Sequence, residues 1–188
     1  MIYDKELVIE KLRRWEKYLR SFRLPLWNEI PDLGLYMDQV ISLLTQYLDY
    51  LPPEIKDKQV ITASTINNYV RVKVMPEPRK KKYYRVHIAY LIMICTLKQS
   101  LNIATVQKLI PFGIPEEQVA FIYNAYAEKH RSTASYFIDE IRNAAAPLLT
   151  GEGNEQETIN NLVAASAIAG GFATLLAEKL LLLEGNSQ

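Results

Sequence analysis

Residues 4–22 repeat apolar positions at intervals of four and three: Val8, Leu12, Trp15, Leu19 and Phe22. That spacing predicts a helix with one apolar face, and Lys11, Arg13, Arg14, Lys17 and Arg20 occupy the rest of it. Pro25 and Pro31 then bracket LPLWNEIPDLG, which cannot be regular helix. Leu26, Trp27 and Ile30 within it point to an ordered segment lying on a core. Asp32 is the expected cap of a helix running to about Tyr50, with Leu35, Val40, Leu43, Leu44, Tyr47 and Leu48 inward, and Pro52 and Pro53 stop it. A polar connector, EIKDKQV at 54–60, follows. Thr62 or Ser64 caps a short helix over 63–72 whose apolar side is Ile66, Tyr69 and Val70. Pro76 and Pro78 force an extended path into PRKKKYYR, whose length suits a tight hairpin or an irregular loop, without a glycine to set a primed turn.

Val86 to Leu97 is almost entirely apolar and too short to span a bilayer, so it predicts the buried central helix of a domain. Asn102 caps a helix with Ile103, Val106, Leu109 and Ile110 on one side. PFGIP at 111–115 is the expected domain boundary, with Pro115, Glu116 and Glu117 opening a helix to about His130. Ser132 is expected to cap another helix, ended by Pro147. A last helix runs from about Glu155 to Glu184, with Leu162, Ala165, Ala169, Phe172, Leu176, Leu180 and Leu183 in a stripe. Buried core and dimer seam share that pattern. Thr158–Ala177 is uncharged and long enough for a membrane span, but Asn160, Asn161, Ser166, Thr174 and the Gly170–Gly171 pair weigh against one, so no membrane is expected. The expected fold is mostly α. Residues 1–23 form an amphipathic helix, 24–110 a winged-helix-like helix-turn-helix domain with a short wing hairpin, and 111–188 a C-terminal helical bundle that dimerises.

Composition changes little in that picture. The 188 residues are 49% hydrophobic and 23% charged, the proportions of a soluble globular chain. The single cysteine, Cys95, lies in the apolar run and reads as a buried inert thiol. The first ten residues, MIYDKELVIE, alternate acids and bases unlike a signal peptide, so a cytoplasmic protein is expected. Charge changes more. Residues 1–110 hold 18 Lys+Arg against 11 Asp+Glu, a balance of +7, whereas 111–188 hold 4 against 10, or −6. Thr62–Lys108 alone holds nine bases and one acid, Glu77. One part of the chain is suited to a polyanion and the other is not.

No catalytic pattern stands out. His87 and His130 are far apart and lack a zinc-ligand spacing; His87 reads as a packed residue and His130 as a helix C-terminal cap. Neither a phosphate-binding glycine loop nor a nucleophile elbow occurs, and the adjacent acids Asp139–Glu140 and Glu116–Glu117 diverge on a helix. No enzyme, metal or organic cofactor is expected. Nucleic-acid binding has better support. On a helix starting at 63, Ser64, Asn67, Asn68 and Arg71 share the side opposite Ile66, Tyr69 and Val70, and amides suit adenine edges. Lys73, Arg79, Lys80, Lys81, Lys82 and Arg85 can neutralise phosphate, and Tyr83 and Tyr84 can hydrogen-bond phosphate or pack under the loop. A solvated basic face is the plainer explanation of each feature taken singly.

The segment Ile61–Ile110 resembles the DNA-binding half of MerR-type regulators. The resemblance rests on Thr65, Ile66 and Tyr69 in the recognition helix, then Val74, Met75 and Pro76, the wing pair Tyr84 and Arg85, Leu91, Ile94 and Leu97, and the capped helix at Asn102, Ile103 and Val106. Asn67 stands where that family usually has arginine, Lys73 where it has the turn glycine, and the linker before the recognition helix is longer than its tight turn. LPLWNEIPDLGLYMDQVISLL, ITASTINNYV and KKKYYRVHIAYLIMICTLKQSLNIATV together resemble the bacterial family called domain of unknown function 1836. That resemblance implies a compact, mainly helical cytoplasmic protein. The function expected is sequence-specific binding of double-stranded DNA by a homodimeric regulator. The alternative is a helical interaction module whose basic loop meets an acidic protein or RNA.

Overall fold

A computed structural model describes residues 3–49, 61–151 and 153–183. The Pro52–Pro53 stop and the connector 54–60 lie outside the described residues, as do Tyr50 and Glu184, the expected ends of two helices. The chain is mostly α. Eight α-helices occur among the described residues: α1 Lys5–Ser21, α2 Met37–Tyr47, α3 Ala63–Arg71, α4 Arg85–Leu97, α5 Ile103–Leu109, α6 Glu116–Ala144, α7 Ala146–Thr150 and α8 Glu155–Leu182. Trp27–Glu29 adds one turn of 3₁₀ helix.

Leu24–Glu128 form one compact unit. Its centre is α4, in which every residue from Val86 to Thr96 is buried. The two polar members are satisfied locally. The His87 ring accepts at Nδ1 from the Tyr84 N–H (2.9 Å) and meets the Glu77 carbonyl at Nε2 (2.9 Å), the pattern of a neutral imidazole protonated at Nε2. Thr96 Oγ1 bonds back to the Ile92 carbonyl and meets the Tyr126 hydroxyl. The helices α2 and α3 pack together, and α2 also packs on α4. The proline-bracketed segment is ordered because α6 holds it: Asn124 Oδ1 accepts from the Trp27 N–H (2.8 Å), and the Tyr123 hydroxyl donates to the Pro25 carbonyl (2.8 Å). Side chains set the helix starts. Thr62 and Asn102 accept from the N–H groups three residues on, while α2 begins at Tyr36, whose N–H donates to Gln39 Oε1. Asp32, the expected cap, is exposed and lies before that point, because the chain bends at Leu33 and pairs Leu35 with Tyr83 before the helix begins.

Lys129–Leu180 and the chain up to Arg23 form the other unit. There α1 packs on α7. Trp15 meets Phe137 edge-on at 5.8 Å, Phe22 meets His130 at 6.1 Å, and Arg20 binds Glu16 and Asp139. Lys5 pairs with Glu155. Besides the change at Arg23, the divisions between units fall within α6 and near the end of α8, at Leu180, and Pro111–Pro115 separates α5 from α6 inside the first unit.

Three expectations about helices change. The predicted break at Ser132 is absent, because its hydroxyl donates to the Lys129 carbonyl one turn back and lets α6 continue. His130 therefore sits inside α6 and caps nothing. The hairpin expected at the wing forms no strand: among the described residues there are only isolated antiparallel bridges, Arg79↔Lys82 and Leu35↔Tyr83. The arms are too short for a ladder, because Pro76 and Pro78 lie just before Arg79 and α4 starts at Arg85, just after Lys82.

Candidate functional site

The polar face of α3 lines an open groove of about 570 Å³ formed by Thr62, Ser64, Thr65, Asn67, Asn68, Tyr69, Arg71 and Lys98. Ile66 and Tyr69 anchor the helix from beneath, with Ile66 fully buried, so Ser64, Asn67 and Arg71 are left exposed. Arg71 Nη2 donates to Asn68 Oδ1 at 2.6 Å, which takes up one acceptor of that amide and steadies the guanidinium over the groove. Lys98, from the end of α4, closes the other side with its ammonium 5.8 Å from the Tyr69 ring centre. This surface offers hydrogen-bond donors, one guanidinium and one ammonium, and no acid.

Beyond α3 the chain turns through a left-handed residue. Lys73 has φ of 55°, the Lys73 N–H reaches the Val70 carbonyl, and the Val74 N–H reaches the Tyr69 carbonyl. These are the two bonds of a Schellman cap, in which the left-handed position favours glycine. The turn keeps its geometry although lysine occupies the glycine position. A second turn repeats the substitution. Arg79 and Lys82 exchange two backbone bonds of 3.0 Å around Lys80 and Lys81, whose φ values are 51° and 62°. Positive φ at both central residues is the signature of a primed hairpin turn, normally built with Asn-Gly. All the non-glycine residues with positive φ among the described residues are these lysines.

The other basic residues are held by partners. Arg79 lies 5.8 Å over the Tyr84 ring and 3.8 Å from Glu116. Lys82 stands 5.3 Å from the Tyr36 ring centre. Arg85 Nε donates to the Ile30 carbonyl at 2.8 Å, and its guanidinium covers Trp27. Arg85 thus ties the proline-bracketed segment to α4. Lys73, Lys80 and Lys81 stay exposed. The expected residues therefore divide. Ser64, Asn67, Asn68 and Arg71 share the groove, whereas Lys73 and the 79–85 residues do not line it.

Sequence reading missed Lys98, Tyr36 and Gly34. Lys98 reaches the groove only through the packing of α4 beside α3, which local spacing does not encode. Gly34 lets Lys82 and Tyr84 come close: a Cβ there would lie 2.7 Å from Lys82 Cδ and 3.2 Å from the Tyr84 hydroxyl, so the Lys82 side chain would have to shift. An isolated glycine between two apolar residues was the available signal. Burial pushes the Cys95 thiol up to about 12 and lowers the pKa of His87. No cluster of acids, histidines and cysteine that could hold a metal ion occurs among the described residues.

The family model described as Domain of unknown function (DUF1836) matches residues 25–128, most of the unit that carries the groove and both lysine turns. No curated protein and no solved structure matches the chain.

Proposed function

The chain belongs to the DUF1836 family, and from that premise we propose that it is a sequence-specific DNA-binding regulator of MerR-like type. In this reading α3 enters the major groove, α2 supports it, and the 79–82 turn is the wing. The observation that carries the reading is the placement of Lys73, Lys80 and Lys81 in left-handed backbone. Each costs about 1–2 kcal/mol that glycine would spare. Backbone strain of this kind accumulates where a site needs the side chain. Here the strained side chains are all cations, and all lie in the segment of nine bases against one acid. The α3 face just before these turns carries short polar groups, Ser64, Asn67 and Asn68, of the kind that read base edges, while the lysines are of the kind that hold phosphate.

Ser64, Asn67 and Arg71 are the direct readers in this proposal. Asn68 aims Arg71, whose guanidinium suits guanine O6 and N7. Lys73, Lys80 and Lys81 hold phosphate, while Arg79, Lys82, Tyr84 and Arg85 shape the wing and its base.

The test is duplex selection from a random library, then fluorescence anisotropy across a salt series. The expected outcome is a preferred duplex whose affinity falls steeply with salt. Lys80→Ala and Lys81→Ala should each flatten the slope by about 0.9 on logarithmic axes and weaken all duplexes alike. If scrambled and selected duplexes bind equally, the regulator reading fails. Equal binding together with lysine-dependent capture of acidic protein or RNA would favour the interaction-module alternative.

A further inference from the structure

The helix α8 is long and apolar, yet only Ile159 along it is buried. Ile168, Phe172, Leu175, Leu176 and Leu180 are 54–67% exposed. At about 100° per residue these side chains fall within a sector of about 140°. The opposite side over the same stretch carries Gly170, Gly171, Ala173, Thr174, Ala177 and Glu178. Exposed apolar surface of this extent on one side of a helix marks a contact surface.

We propose that this face binds the same face of a second copy of the chain, with the two α8 helices antiparallel about Ile168. Charge placement argues for this occupant and orientation. Glu157 lies eleven residues before Ile168 and Lys179 eleven residues after it, both exposed and both in the same sector. A twofold axis at Ile168 therefore brings Glu157 of each copy opposite Lys179 of the other, twice per dimer. Side-chain size is matched in the same register, since Phe172 comes opposite Ala164 and Ala165. A parallel pair would instead set Glu157 against Glu157 and Phe172 against Phe172. The five large side chains expose roughly 600 Å² per copy, so their complete burial in a dimer would reach roughly 1,200 Å², the lower end of the range of specific interfaces. The length and composition of α8 also permit a bilayer crossing. In a bilayer Glu157 and Lys179, 22 residues apart, would sit at the two interfaces; what favours a protein partner is the crowding of the large side chains into one sector and the Asn160, Asn161, Ser166 and Thr174 side chains within the stretch. This inference does not depend on the DNA-binding reading.

The experiment uses the full chain in sedimentation equilibrium at micromolar concentration. The expected mass is twice the 21.6 kDa of one chain. Glu157→Lys and Lys179→Glu should each weaken the dimer about tenfold or more by setting like charges opposite, and the double variant should restore it. Because both positions are exposed, circular dichroism should show unchanged helix in all three. Under mild oxidation Ile168→Cys should form a covalent dimer, and Asn161→Cys mixed with Leu175→Cys should link where neither links alone. The native Cys95 is buried and leaves the background clean. A wild-type monomer, failure of the double variant to restore dimerisation, or self-linking of Asn161→Cys would overturn the proposal. Flotation of the chain with phosphatidylcholine vesicles, resistant to alkaline carbonate, would also overturn it and assign α8 to the membrane.

Discussion

Lys73 is under two opposed demands: its backbone position favours glycine, and its side chain adds positive charge beside α3. Lys73→Gly should therefore raise stability by about 1 kcal/mol while weakening nucleic-acid binding. Chemical denaturation and anisotropy on the same variant check the two effects, and a gain in both would remove the functional meaning of the strain. The histidines make a second residue-scale prediction. Burial lowers the pKa of both His87 and His130 below the ordinary 6.5. Below about pH 6.5 the unfolded chain therefore binds more protons than the folded one. Stability should fall as pH drops from about 7 to 5.5, by up to about 1.4 kcal/mol per pH unit for each histidine. Urea titrations at the two pH values measure this, and His87→Gln should reduce the slope. At this scale the apolar setting of His87 and Cys95 was legible from the run around them. The role of Arg85 was not, because its partner, the Ile30 carbonyl, is 55 residues away.

Among the elements, α4 shows how far a buried run can be read. Its apolar character on all sides has one solution in water, complete enclosure, and Val86–Thr96 are enclosed. Leu91, fully buried, should cost about 2–5 kcal/mol on truncation to alanine. Cys95→Ala removes a smaller side chain and should cost less, with nucleic-acid binding unchanged; thermal melts and anisotropy decide both. For α3 the 3.6-residue period placed Ile66, Tyr69 and Val70 inward and Ser64, Asn67, Asn68 and Arg71 outward; Ile66 and Tyr69 are buried and Ser64, Asn67 and Arg71 exposed, while Asn68 and Val70 are half-buried at the edge between the faces. The Asn68–Arg71 bond adds a prediction. Asn68→Ala should weaken the preferred duplex by about 1–3 kcal/mol, and in an Arg71→Ala background it should have little further effect. Additive losses would mean that Asn68 reads a base independently. Where local signals compete, sequence reading was poorer: Ser132 can cap a helix or bond back along it, and in the folded chain it bonds back to the Lys129 carbonyl.

For the whole molecule, a dimer of DNA-binding units should prefer two half-sites about one helical turn (34–36 Å) apart or a multiple, unless the DNA is bent or unwound. A duplex with both half-sites should bind more tightly than one alone, and Lys179→Glu should abolish that advantage while leaving single half-site affinity intact. Anisotropy on paired and single sites makes the comparison. The mostly helical class, the buried α4, the capped start at Asn102 and the basic stretch were determined by the sequence itself. Each follows from hydrophobic period, cap chemistry or charge count, which act over a few residues. The choice of Thr62 over Ser64 as the α3 cap, by contrast, was made by the folded chain. Tertiary structure alone decided that Lys98 joins the α3 groove, that Arg85 serves Ile30 and Trp27, and that Gly34 lies against Lys82. It also decided that the apolar stripe of α8 faces outward. Those outcomes depend on which distant surfaces meet, and an apolar stripe has the same spacing whether its own chain or another covers it.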